Sequence, residues 1–175
     1  MGDKKIILHA REYAYPAIDL PEEILERYDI KIIDKTKEAI DFIKQNKNIE
    51  AFVLGMTMPI EKYTLNEVDE AFKKADDFLK NVTDSGKKRL TEQQHSKHIL
   101  LGNNADSLLD HWAGFEIYNF LEKKGYVGHF PTAFFTSHLY LDMINIQKNN
   151  KKVSILDWPI FEEDVVEWFD KYLPN

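Results

Sequence analysis

Cysteine is absent from this 175-residue sequence, and glycine and proline are scarce, with seven and six residues. The lack of cysteine excludes disulfides, thiolate metal sites and cysteine nucleophiles. No apolar run approaches the roughly 18 residues of a membrane span, and the first residues, MGDKKIILHARE, hold no apolar stretch of signal-peptide length. We therefore expect a cytoplasmic protein that does not enter a membrane.

Positively charged residues are also fewer than negatively charged ones, with 23 Lys and Arg against 30 Asp and Glu, which gives a net charge of −7. Binding to a phosphate backbone depends on clustered Lys and Arg, and the one basic cluster, Lys87-Lys88-Arg89, is short. We expect no nucleic-acid partner. An apolar share of 43% predicts a packed globule, and the length suits a single domain over residues 1–175.

The first third of the chain alternates between short apolar runs and amphipathic segments. The apolar runs predict strands at 6–9, 30–33 and 50–54. The segments between the strands predict two helices, a short one that begins at Pro21 and a second one at 36–45. Strand and helix alternation over about 55 residues is typical of βαβ units. It predicts a parallel sheet with helices on both faces.

The middle of the chain is predicted to be helical. Capping boxes at 64–67 and 91–94 mark two helix starts. The second of these helices is expected to end near Leu101, because Gly102-Asn103-Asn104 is a typical helix stop. A third long helix is predicted from about Ala105 to Lys124.

After these helices the strand and helix alternation returns. Strands are predicted at 131–136 and 153–156, and helices at about 139–147 and 162–173. The sequence therefore predicts a five-stranded α/β domain that helices interrupt.

Three segments resemble the receiver domain of two-component response regulators, which has a CheY-like, flavodoxin-like fold. They are EAFVLGMTMP, similar to the phosphoacceptor strand and turn, GFEIYNFLEKKGYVGHFPTAFFTSH, similar to the next helix, strand and Thr-Ala turn, and VSILDWPIFEEDVVEWFDKYL, similar to the last strand, turn and helix. The resemblance covers residues 4–60 and 113–173. It implies a doubly wound five-stranded parallel sheet in three α/β/α layers, with residues 60–112 as a helical insertion after the third strand.

The resemblance also locates the family's phosphorylation residues. The acidic pair that binds magnesium falls on Ala10 and Arg11, and the phosphorylated aspartate falls on Gly55. Aspartyl phosphorylation needs a carboxylate nucleophile and a divalent cation held by further carboxylates. Glu12 alone makes a weak cation site, and Arg11 would repel the cation. The resemblance therefore implies a pseudo-receiver and not an enzyme, with no catalytic residue, cofactor or metal at this pocket.

Other pocket positions have changed together. The family's phosphoryl-binding hydroxyl is kept as Thr136, whereas its lysine falls on Trp158 and its aromatic switch residue on Ile155. Losing the acids together with the lysine leaves no unpaired buried charge. We expect Trp158 to fill the volume beside Gly55. The degenerate pocket is thus predicted to consist of Ala10, Arg11, Glu12, Gly55, Thr57, Thr136 and Trp158.

Two other functions stay open for this end of the sheet. A small-molecule or anion sensor would use polar residues at the carboxyl ends of the strands, where open α/β sheets bind ligands. An enzyme of unknown type would need perturbed titratable groups in a cleft. No Gly-rich phosphate loop follows the first strand, and no GxSxG elbow is present. The candidate sensor residues are His9, Arg11, Glu12, Thr57, Thr136, His138 and Asp157.

Histidines invite a metal-site interpretation, but their pattern does not favour it. His95 and His98 are three residues apart, with His111 further along, and they lack the Glu of a zincin motif and any cysteine partner. We expect them to bind no metal.

A protein partner is the expected route of output. Three amphipathic helices in the insertion would have to bury their apolar stripes on the domain or on a partner. Receivers commonly pair through their last helices and strand, so a homodimer face with Tyr140, Trp168 and Tyr172 is also expected. The identity of the partner stays open.

Overall fold

A computed structural model describes residues 5–13, 20–84, 90–136, 141–157 and 161–173. In chain order its helices and strands are β1 (Ile6–Ala10), α1 (Glu22–Arg27), β2 (Asp29–Ile33), α2 (Thr36–Gln45), β3 (Ile49–Gly55), β4 (Met58–Pro59), α3 (Leu65–Asp84), α4 (Glu92–Asp106), β5 (Leu109–Asp110), α5 (Ala113–Lys123), β6 (Thr132–Thr136), α6 (Leu141–Asn149), β7 (Val153–Asp157) and α7 (Glu162–Tyr172).

Five parallel strands form the main sheet, in the order β2-β1-β3-β6-β7. The order reverses between β1 and β3, as in a doubly wound sheet. The predicted five-stranded parallel α/β fold is therefore confirmed. The register sets Gly55 opposite Phe135, and Thr136 opposite Asp157.

The two faces of the sheet carry two separate cores. Successive strand residues point to opposite faces, and in β6 this sends Phe134 into one core and Phe135 into the other. The first core also takes Ile117 of α5 and Met143 of α6, and the second takes Phe169 of α7. A parallel sheet that is covered on both sides needs apolar residues at consecutive strand positions, and TAFFT supplies them.

The chain divides into two compact units. The first combines residues 1–58 with 111–175, and the second spans Pro59–Asp110, close to the segment 60–112 predicted as an insertion. Within the second unit α3 packs against α4, and the Ile60 N–H donates to the Leu108 carbonyl at 2.9 Å, which brings the two ends of the unit together. The description of 1–175 as a single domain stays a prediction.

Both predicted capping boxes are present. The Thr64 N–H donates to the Glu67 carboxylate at 2.7 Å, and the Glu67 N–H donates to the Thr64 hydroxyl at 3.2 Å. Thr91 and Gln94 make the same reciprocal pair before α4. Each box satisfies helix N–H groups that have no partner within the helix.

The predicted end of the second insertion helix is wrong. α4 continues through Gly102 to Asp106, because Gly102 does not adopt the positive φ that a glycine stop requires. The helix therefore includes Ala105, which is completely buried. It ends instead at Ser107, whose hydroxyl donates to the Asn104 carbonyl at 2.7 Å.

The predicted helix from Ala105 to Lys124 is also wrong. The segment divides into the last residues of α4, the short strand β5 and α5. β5 pairs with β4, so backbone N–H and C=O groups of β5 bond to another strand and not within a continuous helix. The described part of the insertion therefore contains two helices, where three were expected. No helix in the described residues is long and apolar enough to cross a membrane.

Candidate functional site

The predicted pocket residues come from the carboxyl ends of β1, β3 and β6, which are adjacent strands. Ala10 is paired with Leu54, one residue before Gly55, and Thr136 follows Phe135, the partner of Gly55. Ala10 and Thr136 are completely buried. The structure thus brings Ala10, Gly55 and Thr136 to one edge of the sheet.

Backbone hydrogen bonds fix the segment that follows β1 across this edge. The Arg11 N–H donates to the Ile33 carbonyl of β2 at 2.8 Å, and the Tyr13 N–H donates to the Thr57 carbonyl at 2.6 Å. These two bonds lie on opposite sides of β1. Glu12 is held between them and is buried, with 5% of its surface exposed.

Glu12 occupies the space beside Gly55. A Cβ atom built on Gly55 would overlap the backbone N and Cα of Glu12 and its Cβ. Only a residue without a side chain fits there while Glu12 keeps its position. The volume that an aspartate carboxylate would need is therefore taken by backbone. Trp158, which was expected to fill this volume, lies outside the described residues, and its part in the pocket stays a prediction.

Gly114, at the start of α5, makes a second close approach at the same place. Its N–H donates to the Met56 carbonyl at 3.3 Å. A Cβ on Gly114 would lie 2.6 Å from the Gly55 carbonyl oxygen and 2.8 Å from Met56 Sδ. Gly114 was not among the residues predicted from the sequence, although a glycine inside an apolar helical pattern is a signal of close packing.

His9 is buried, which contradicts its expected place on a polar rim. Alternate residues of β1 face the same way, so His9 follows Ile7 toward the core that contains Phe135, and the two rings meet edge to face at 6.0 Å. Burial, and then the charge of Arg11, lowers the His9 pKa to about 4. Its Nδ1 has no hydrogen-bond partner among the described residues. His9 is therefore a neutral core residue at pH 7.

Thr57 and the remaining histidines take other positions. The Thr57 hydroxyl lies 3.4 Å from His111 Nδ1, a pairing that the sequence did not suggest. His95 is exposed and His98 half-buried on α4. Among the described residues, no group of three or more His, Asp or Glu side chains is placed to hold a metal ion. His138 lies outside the described residues.

The expected homodimer face is only partly available. Trp168 is buried at 4% exposure and packs against Phe169 and Tyr172, so its predicted place on an exposed face is wrong. The Tyr172 hydroxyl donates to the Lys151 carbonyl at 3.2 Å. Tyr140 lies outside the described residues. A homodimer stays a prediction.

No known family model matches this sequence, and no curated protein matches it. Solved structures do match. A signal receiver domain from Vibrio parahaemolyticus is 15% identical, with a TM-score of 0.50, over 98% of this chain and 90% of its own. A fusion carrying part of the yeast Spc42 coiled coil is 9% identical, with a TM-score of 0.50, and the match covers 99% of this chain and 78% of the fusion. CheY4 of Vibrio cholerae is 8% identical, with a TM-score of 0.49, and the match covers 98% of this chain and 100% of CheY4. The likeness to the Vibrio parahaemolyticus domain, together with the five-stranded parallel sheet, shows a receiver-like fold.

Adding one methyl group at position 55 should destabilise the protein. We expect Gly55→Ala to lower the free energy of unfolding by about 1–3 kcal/mol or more, because the new Cβ displaces the Glu12 backbone. Urea denaturation measures the change. Gly102→Ala is the matched control, because no atom lies within 4 Å of its added Cβ and alanine is the better helix former. Equal stability of the two variants would contradict the close approach.

His9 should make the protein less stable in mild acid. Its pKa falls from 6.5 in the unfolded chain to about 4 in the native state, so the unfolded state binds more protons between these values. Stability from the neutral ring is complete above about pH 6.5, declines as the pH falls, and levels off below about pH 4.

From about pH 7.5 to about pH 4.5 we expect the native protein to lose about 2–3 kcal/mol more than His9→Gln, whose side chain does not titrate. Urea unfolding at both pH values measures the difference. Parallel losses in the two proteins would show that His9 is not buried as described.

Proposed function

We propose that this chain is a receiver-like signalling protein that acts through protein contacts and accepts no phosphoryl group at the usual pocket. The observation that carries the proposal is the approach of the Glu12 backbone to Gly55. A fold alone does not define a function, and the chemistry of this edge of the sheet decides whether the pocket can accept a phosphoryl group.

Phosphotransfer to a receiver needs three things here that the pocket lacks. Gly55 supplies no carboxylate nucleophile, and Ala10 and Arg11 supply no ligand for the divalent cation that would neutralise the phosphoryl oxygens. The phosphoryl group also needs space, and the segment through Glu12 occupies it. The retained Thr136 hydroxyl is fully buried. These features favour a pocket kept for its packing.

The burial of the polar residues favours protein contacts over the alternative of a small-molecule or anion sensor. His9, Glu12 and Thr136 are all at most 5% exposed, so a ligand could reach them only if the edge opened. The alternative of an enzyme would need titratable side chains that a substrate can reach, and the burial of these residues leaves no such accessible cluster among them.

The second unit offers a surface for a partner. α3 turns Val68, Ala75 and Val82 inward, whereas the neighbouring residues Ile99 and Leu100 of α4 are 46% and 59% exposed. Ile99 and Leu100 are consecutive, so their side chains point about 100° apart around α4, and together they leave apolar surface exposed on one turn of the helix, which favours a protein contact. We call Ile99 and Leu100 the α4 face and propose it as the main output surface, with the last helices as the alternative.

Treatment with a small-molecule phosphodonor tests the first part of the proposal. We expect no acyl phosphate on the native chain after incubation with acetyl phosphate and Mg²⁺, as followed by intact-mass spectrometry, because neither nucleophile nor cation ligands are present. Gly55→Asp should also stay unmodified, since the Glu12 backbone blocks the new carboxylate. A phosphorylatable receiver in the same buffer is the positive control. A stable, stoichiometric acyl phosphate on the native chain would overturn the proposal.

Affinity capture from the native cell tests the second part. The bait is the whole chain, compared with a chain in which residues 60–109 are replaced by a short glycine linker. Pro59 belongs to β4 and Asp110 to β5, and these two strands pair, so a short linker can join the two ends. We expect the deletion to lose the partner that the whole chain captures.

Point variants refine the same experiment. Ile99→Glu with Leu100→Glu should lose the same partner, because charge on the α4 face opposes apolar contact. Leu25→Glu, at a residue of α1 that is 43% exposed, is the matched control and should keep it. Retention of every partner by the deletion chain would show that the output does not pass through the second unit.

A further inference from the structure

A groove of about 550 Å³ lies between α5 and α6 in the first unit. α5 packs against α2 and β3, whereas α6 packs against β7, and the groove lies between the two helices. Its size is within the range of ligand-binding clefts. Neither Gly55 nor the residues of the α4 face line it, so nothing in the proposed function depends on it.

The floor of the groove is apolar and aromatic. Phe115 and Tyr118 of α5 are buried, and Ile146 of α6 is half-buried beside them. Trp112, at the end of the groove, stacks on Phe115 with the ring centres 5.5 Å apart, yet 56% of its surface is exposed. The stacking fixes the indole ring while much of its surface stays accessible to a ligand.

The walls of the groove are negative. Glu122 and Asp142 contribute carboxylates, four asparagines contribute amides, and no Lys or Arg is among the lining residues that the structure describes. Lys124, which is close in sequence, extends over the Phe120 ring at 5.8 Å. Burial, followed by the charge of Glu122, raises the Tyr118 pKa, so the hydroxyl stays neutral. The groove therefore complements a cationic ligand.

Arginine matches this combination better than lysine does. A guanidinium has five donors in a planar fork, which suits several carboxylate and amide oxygens, and it stacks on aromatic rings such as Trp112. An ammonium offers three donors around a point charge. The open groove and its apolar floor suit a peptide, whose neighbouring apolar side chains can lie on Phe115 and Ile146.

We propose that the groove between α5 and α6 is a docking site for an arginine-bearing peptide segment of a partner protein. One guanidinium stacks on Trp112 at the end of the groove, and another donates to Glu122, which lies about 15 Å further along α5, or to Asp142 of α6. The adjacent apolar residues of the peptide cover the floor. The site gives the protein a contact surface of its own on the first unit.

Fluorescence anisotropy with labelled short peptides of alternating leucine and arginine tests the proposal on the whole chain. Matched peptides carry lysine, citrulline or glutamate in place of arginine. At physiological ionic strength, which screens non-specific attraction, we expect the arginine peptide to bind at least about tenfold more tightly than each of the others. Citrulline is the sharpest comparison because it keeps the shape and removes the charge.

Variants place the binding in the groove. Glu122→Gln with Asp142→Asn, and separately Trp112→Leu, should each weaken the arginine peptide about tenfold. Glu116→Gln is the control, because Glu116 is an exposed acid of α5 that does not line the groove. Thermal melting of each variant checks that the fold is kept.

Four results would overturn the proposal. They are no binding of the arginine peptide up to about 1 mM, equal binding of the lysine peptide, an equal loss with Glu116→Gln, and displacement of the peptide by spermine at the peptide's own concentration. The last would assign the groove to a small polyamine.

Discussion

The contact between the Glu12 backbone and the Cα of Gly55 is the constraint on which the site depends. It exists because the Arg11 and Tyr13 N–H groups donate to carbonyls on the two sides of β1, which fixes Glu12 across the end of β3. The only side chain that permits it is a hydrogen atom. Gly114 continues the same close packing from α5, so three segments meet with almost no side chain between them.

This edge can change while the sheet remains. The two cores depend on consecutive apolar strand residues such as Phe134 and Phe135, each of which contributes about 1.5–3 kcal/mol by burial. Neither residue uses the acids or the lysine of a phosphorylation pocket. A receiver-like sheet is therefore compatible with an edge closed by backbone, and the contact surfaces proposed for the protein lie elsewhere, on α4 and between α5 and α6.

Much of the fold, but less of the site, could be predicted from the sequence. Local periodicity gave the strands and placed α2 at residues 36–45, because apolar spacing reports directly which face is buried. It failed at Gly102, where a residue typical of helix ends continued a helix. The contact between Glu12 and Gly55 joins residues that are distant in sequence and involves backbone atoms, so no pattern of side chains predicts it. His9 was misplaced because its direction depends on strand register.

A nuclear Overhauser effect between the Gly55 α-protons and the Glu12 amide proton tests the central claim most directly, because it reports the distance between these two backbones in solution. The account predicts a strong effect in the native chain, together with slow exchange of the Tyr13 amide proton that donates to Thr57. The absence of the effect, with rapid exchange at Tyr13, would contradict the account by showing that the space beside Gly55 is open.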